Sequence, residues 1–206
     1  MPRVLSQTDV IDFRERLCDV ATRLFDEKGP QGVTMRELAS ALGVSAMTPY
    51  RYFRDKDAIL AAVRARAFDR FSDALEKAYA GPGTTMERAH AKREAYVRFA
   101  LTEPAAYRLM FDLSQASEDD YPDLVRAMDR AQVQMTDHVH ALVEEGIISG
   151  DPDLIGHVFW AALHGAVTLH LAGKLSPQYK LTQQYGIDRI ITETIRALGE
   201  GFRPKE

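Results

Sequence analysis

Cysteine is nearly absent from the 206-residue chain. Cys18 stands alone, which excludes an intrachain disulfide framework and a cysteine-based zinc site; a lone cysteine in such a pattern is expected to be a small buried helix residue. No apolar run reaches the roughly 18 residues of a membrane span, and the opening MPRVLSQTDVIDFRERL has charges where a signal peptide needs an apolar core. A cytoplasmic protein with no membrane partner is expected. Histidines 157, 164 and 170 are seven and six apart, and 138 and 140 are two apart. None is the i, i+4 pair that puts two imidazoles on one helix face, so no metal site is expected. A Gly-rich phosphate loop, carboxylates paired in a shared frame and a nucleophile elbow are all missing, so neither an enzyme nor a bound cofactor is expected. Strand-like alternation is missing too, which leaves an all-α chain.

A net charge of −4 excludes a protein that coats nucleic acid indiscriminately. The charge is uneven, however: residues 1–70 carry 12 Lys/Arg against 10 Asp/Glu, and the remainder 14 against 20. Any polyanion contact should therefore involve the front of the chain.

What is present is helical periodicity. Phe13, Leu17, Val20, Ala21, Leu24 and Phe25 recur at three- and four-residue spacing, and Gly29, Pro30 and Gly32 end that helix. Thr34 stands three residues before Glu37, a capping-box spacing, and opens a short helix that Gly43 closes. A third short helix is expected over 45–52 and a long one from Asp55 or Lys56 to about residue 80, where AGPGTT breaks the pattern. Further helices are expected from about Met86 to Leu101, Pro104 to Leu113, Pro122 to Ile148, Pro152 to Ala172 and Tyr185 to Leu198, about nine in all. Three start with proline beside a polar residue, where the missing N–H costs nothing. The acidic SEDDYPD at 117–123 reads as a solvated loop.

Helices two and three, joined by LGVS, have the helix-turn-helix layout. Gly43 supplies the positive φ of the turn, Val44 and Leu38 fill the small core, and the outer face of 45–52 is left to enter a major groove. That face presents Ser45, Ala46, Met47, Thr48, Tyr50 and Tyr52: hydroxyls for phosphates, apolar groups for thymine methyls. Thr34 and Arg36 at the start of the preceding helix, and Lys56 at the start of the following one, flank it with groups suited to phosphate or guanine edges. Phe53 is expected in the core; the two tyrosines suit either the core or the surface.

The run VTMRELASALGVSAMTPYRYFRDKDAIL, residues 33–60, resembles the helix-turn-helix of the tetracycline-repressor (TetR) family of bacterial transcription regulators. Thr34, Leu38, Ala39, Gly43, Val44, Ser45, Tyr50, Tyr52, Phe53 and Lys56 match that family's form in order and spacing. Met47 departs from it where glycine is frequent, and Pro49 where leucine or isoleucine is. The resemblance implies a homodimer whose N-terminal domains read a palindromic operator in double-stranded DNA. It also implies an α-helical C-terminal domain that dimerises and binds a small-molecule effector, most often to release repression. The expected division is a helix-turn-helix domain over 1–56 and an effector and dimerisation domain over 57–206, with 57–80 as connecting helix.

In the second half FWAALHGAVTLHLAGKL, 159–175, is similar to the Trp-x-x-x-His-Gly helix of one subtype of that family, through Trp160, His164 and Gly165. The helix is apolar on nearly all sides, as suits an element with its own domain on one face and a partner subunit on the other. Trp160, His164 and Val167, with Ile187, Ile191 and Ile195 of the last helix, are the expected dimer interface, a two-fold four-helix arrangement. Tyr96, Phe99, Tyr107, Met110, Phe111, Met128 and Met135 suit either ordinary core packing or an apolar pocket. His164 suits either a hydrogen-bonded core or interface position or a polar anchor in that pocket. The effector is expected to be apolar or aromatic. Two functions remain open: a ligand-responsive regulator, or an all-α interaction module that kept the helix-turn-helix shape without specific operator binding.

Proline is tolerated in the first turn of a helix and disfavours αR at the residue before it. Thr48 and Pro49 are therefore expected to mark the start of the reading helix, with Ser45 to Met47 as a tight lead-in turn and the Thr48 hydroxyl as cap or phosphate contact.

Overall fold

The structure, a computed structural model, describes residues 7–111, 118–175 and 185–204. Helix α1 (Gln7–Lys28) buries Leu17, Ala21 and Phe25 along one stripe with Cys18 beside them, and stops at Gly29, whose φ is 72°. Helix α2 (Met35–Ala41) is opened by the expected capping box: the Thr34 hydroxyl accepts from the Glu37 amide (3.2 Å) and the Thr34 amide donates to Glu37 Oε2 (2.8 Å). Gly43, at φ 68°, ends it as a Schellman motif. Its amide bonds the Ser40 carbonyl and the Val44 amide the Ala39 carbonyl, both at 3.0 Å.

The remaining helices are α3 (Lys56–Tyr79), α4 (Thr85–Thr102), α5 (Pro104–Met110), α6 (Pro122–Thr136), α7 (His138–Glu144), α8 (Pro152–Leu171) and α9 (Ile187–Gly201). Nine α-helices among the described residues agree with the expected number for a different reason. The segment 45–52 contains no α-helix, whereas 122–148 is two helices rather than one: the chain tightens at Asp137, whose carbonyl takes the His140 amide (3.2 Å), and α7 ends before Gly146 at φ 69°. Leu113 and Ser117 lie outside the described residues.

The chain packs as two units. The first comprises residues up to Arg70 with Glu103–Asp129, so the expected boundary after residue 56 is not where packing divides the chain. The reason is apolar: Ile59, Leu60 and Val63 of α3 and Leu109 of α5 share one core with Leu17, Phe25 and Leu38. Polar ties reinforce it. Arg108 of α5 forks onto Asp26 of α1 (2.8 and 2.7 Å), and buried Arg64 donates to the Met110 carbonyl (3.1 Å) and pairs with Glu118. Glu118 is thus an ion-pair partner rather than part of a wholly solvated loop.

The second unit comprises Phe71–Thr102 with Arg130–Glu206. Phe71 meets Tyr96 and Phe99 edge to face, and Val139, Leu142, Ile148 and Ile155 form a second apolar cluster. Gly156 permits a close crossing, since a Cβ there would stand 2.9 Å from the Thr136 Cβ. Asp151 caps α8, its carboxylate accepting from the Asp153 and Leu154 amides. By length and composition alone α8, with 20 residues and an 18-residue window of mean hydropathy 1.4, could cross a membrane, although Asp153 and three histidines interrupt its apolar run; 22% of that window is buried within the chain.

Candidate functional site

Two places combine exposed or enclosed chemistry with defined geometry, one in each unit. In the first, the chain leaves α2 through Gly43 and runs from Ser45 to Phe53 as successive tight turns. The Thr48 amide donates to the Ser45 carbonyl (2.9 Å), Arg51 to Thr48 (3.1 Å) and Tyr52 to Pro49 (3.0 Å), with a 3-10 helix over Pro49–Arg51. Proline explains the shape. Residue 49 has no amide to give to the Ser45 carbonyl, so the α-type bond at that step cannot form and Ser45 accepts from Thr48 instead.

The boundary expected at Thr48 and Pro49 is where a helix starts, but that helix is a single 3-10 turn. Thr48 itself is αR (φ −63°, ψ −46°), not extended, and its hydroxyl caps nothing; it lies 3.0 Å from the Ser45 hydroxyl. Pro49 is buried and forms the inner side of the turn, while Met47 and Tyr50 are 69% and 48% exposed, with Ser45 and Ala46 also exposed.

Other expected reading residues divide by what already occupies them. Arg36 is exposed in the first turn of α2, and Lys56 is half-buried at the start of α3. Thr34 is engaged by the capping box, and its hydroxyl proton also goes to Glu37 Oε2 (2.9 Å). Tyr52 is half-buried and stacks on Phe13 of α1 at 4.2 Å between ring centroids, and its carbonyl accepts from Arg14 (2.7 Å). Both hold the surface in place. Arg51, exposed at the end of the 3-10 turn, went unnoticed in the sequence although it adjoins Tyr50.

Lys28, with Thr34, holds the Glu37 carboxyl down to about 2, so the capping box keeps its charge at any physiological pH.

The second place is a cavity of about 580 Å³ within the second unit, inside the ~300–1,000 Å³ range of small-molecule sites. Apolar walls come from α7 (Val139, Leu142) and α8 (Phe159, Leu163), and from Leu75 near the end of α3. Tyr96 and Met135, expected to line a pocket, do so. Phe99 is buried against Phe71. Tyr107, Met110 and Phe111 are corrected: they belong to the first unit, where Phe111 packs on Phe68 and Tyr107 and the other two are fully buried.

His164 is outside the lining. Its Nδ1 lies 3.4 Å from the Tyr96 hydroxyl and its Nε2 3.4 Å from the Thr168 hydroxyl, and burial pushes its pKa down.

The expected dimer residues are also redistributed. Trp160 and Ile195 line the cavity, and Val167, Ile187 and Ile191 are buried in their own chain, so none of these three is available to a partner surface. Helix α9 packs against α8 of its own chain.

Missed altogether were the cavity's basic groups, Lys92, Arg93, Arg196 and Arg203, with His90 and His138. Lys92 is buried and paired with Asp137 (2.5 Å), its ammonium 4.9 Å from the Tyr79 ring. Burial, and then the Lys92 charge, push His138 down to about 4, so it is neutral at physiological pH. One signal was available: Met86, Ala89, His90, Arg93 and Tyr96 form a stripe at helical spacing, with two basic residues where a core stripe is apolar.

Comparison with known proteins adds to this geometry. Residues 17–63 match the family described as "Bacterial regulatory proteins, tetR family", and residues 89–198 match "Tetracyclin repressor-like, C-terminal domain". A helix-turn-helix-type transcriptional regulator of Staphylococcus aureus (strain bovine RF122 / ET3-1) is 36% identical over 63 residues, 31% of this chain and 34% of that protein, so the match spans about a third of the relative's length. A protein of unknown function from Rhodococcus sp. RHA1 superposes with a TM-score of 0.76 at 26% identity, covering 99% of this chain and 100% of that one. The TetR family regulator PfmR of Thermus thermophilus superposes at 0.67 and 21% identity, over 93% and 99% of the two chains.

Proposed function

The chain belongs to the tetracycline-repressor family of bacterial regulatory proteins, and from that premise we propose that it is a ligand-responsive transcriptional regulator, a repressor released by a small molecule. The observation that carries the reading is a division of labour. The exposed Ser45, Ala46, Met47 and Tyr50 lie on one unit, and a cavity of about 580 Å³, open to solvent on one side, lies in the other. Helix α3 belongs to both, beginning at Lys56 beside the reading turn and contributing Leu75 to the cavity wall. A ligand that favours one setting of α3 shifts the population of reading heads that fit an operator. The same division speaks against an enzyme, and also against a module without operator binding, which has no use for Met47 and Tyr50 in solvent.

The reading includes a homodimer on a palindromic operator, with half-sites roughly 34–36 Å apart or a multiple of that. Support comes from α8, where Leu154 (61% exposed), Ala161 and Leu169 (49% exposed) leave an apolar stripe uncovered, and Gly165 has no atom within 4 Å of where a Cβ would be. The partner surface is therefore this stripe, in place of the buried isoleucines. Trp160 in the cavity wall, His164 between Tyr96 and Thr168, and open-sided Gly165 also suit the Trp-x-x-x-His-Gly subtype. A cytoplasmic location follows from the role.

Footprinting on DNA flanking the protein's own gene tests the regulator: a protected palindrome, lost steeply with salt, is expected. Equal affinity for any duplex would overturn it. Sedimentation tests the stripe, with Leu169→Glu expected to convert a dimer to monomers; a dimer of unchanged strength would rule out this face.

A further inference from the structure

We infer that the cavity takes an amphiphile with a single anionic headgroup, its tail against the apolar walls and its charge met by Arg93 and Arg203. This deepens the ligand-responsive reading and rests on it. The inner wall offers hydrocarbon: Leu142 and Leu163 are buried, and Phe159 and Ile148 stand beside them. The cavity's charged groups are mostly cationic. Four side chains in the lining are cationic and only Glu200 is anionic.

Existing pairs account for two of the cations. Lys92 is held by Asp137, and Arg196 by Glu193 (2.8 Å) and Glu200 (2.7 Å). Arg93 and Arg203 have no ion-pair partner among the described residues. They come from different elements, α4 and the segment just after α9, and are half-buried and exposed respectively, which places them on the solvent side of the cavity.

A neutral ligand filling this space would strip water from Arg93 without replacing it. An anionic head replaces that water with charge-assisted hydrogen bonds, bidentate where a carboxylate or phosphate meets a guanidinium. The neutral state of His138 and the prior pairing of Lys92 leave the two arginines as the groups that discriminate.

Trp160 is the only tryptophan in the chain and lines the cavity, so its fluorescence in the full-length protein reports occupancy directly. Dodecanoate, dodecyl phosphate and 1-dodecanol are titrated against wild type, Arg93→Met, Arg93→Lys and Arg203→Met. Wild type is expected to bind at least one anion about tenfold or more tighter than the alcohol. The Met variants should lose most of that ratio with alcohol binding unchanged, and Arg93→Lys should restore part of it. The better of the two anions identifies the headgroup.

Equal or tighter binding of dodecanol, a ratio unmoved in both Met variants, or no response to any amphiphile would each overturn the proposal. Operator binding, followed in parallel, separates the two claims. Anion-selective occupancy without operator release would leave the ligand class standing and sink the regulatory reading. Release by dodecanol alone would do the reverse.

Discussion

The reading turn and the cavity are built by opposite means. Between residues 33 and 60 most decisive features are local: the Thr34 cap, the Schellman turn at Gly43, the missing amide of Pro49 and the Asp55 carboxylate that accepts from the Ala58 amide at 2.7 Å, with Phe13 and Arg14 of α1 bracing Tyr52 from outside. The cavity has no such stretch. Its walls come from α3, α4, α6, α7, α8 and α9, segments that lie far apart along the sequence. A surface that must present a few side chains at fixed angles is set by backbone chemistry over short range. A cavity is set by how helices far apart in sequence pack.

The comparison is broken most forcefully by removing packing from the first unit. Phe25 is 1% exposed in its core, and Phe25→Ala is expected to cost about 3–5 kcal/mol, read as a fall in Tm with loss of operator binding. Tyr50→Ala separates surface from scaffold: stability should change by less than about 0.5 kcal/mol, while operator affinity, measured by fluorescence anisotropy, falls by about 1–3 kcal/mol. Thr34→Ala weakens the same surface through its cap, by about 1 kcal/mol in denaturant melts.

The second unit should show its difference in pH. Burial holds the folded His138 pKa at about 4, against 6.5 for an ordinary histidine. The unfolded chain therefore takes up the proton first, and this contribution to stability is complete above pH 6.5 and lost as pH falls toward 4. In His138→Phe that slope should be absent from melts of the full chain between those values. Glu37 is held at about 2 against 4.5 for an ordinary carboxyl, so the reading unit's cap loses its contribution only as pH falls from 4.5 toward 2, mostly below this window.

The same contrast explains what was legible in sequence. Capping box, Gly43, the buried Phe53 and the break at Pro49 follow from one or two residues each, and all are present. What escaped there was degree. A missing amide predicts a boundary but not that only one 3-10 turn follows, and Thr48 adopts αR despite the proline after it because the Ser45 and Thr48 backbone bonds close the turn.

In the second half the helices were legible from periodicity, whereas the assignment of their faces was not. Ile187, Ile191 and Ile195 lie within nine residues of one another, yet two are core and one lines the cavity. Only the direction from which α8 approaches decides which. Tyr107 and Met110 lie near Tyr96 in sequence but go to the first unit's core, because α5 joins that unit.

The central claim is that occupancy of the cavity controls the reading turn. Ala89 lines the cavity and is 8% exposed, so Ala89→Phe fills space the ligand needs. Operator anisotropy is measured for wild type and this variant across a titration with whichever amphiphile changes Trp160 fluorescence. The account predicts that wild type releases the operator as Trp160 responds, and that Ala89→Phe holds it at every concentration. Release from both proteins at the same ligand concentration, or from neither, would contradict it.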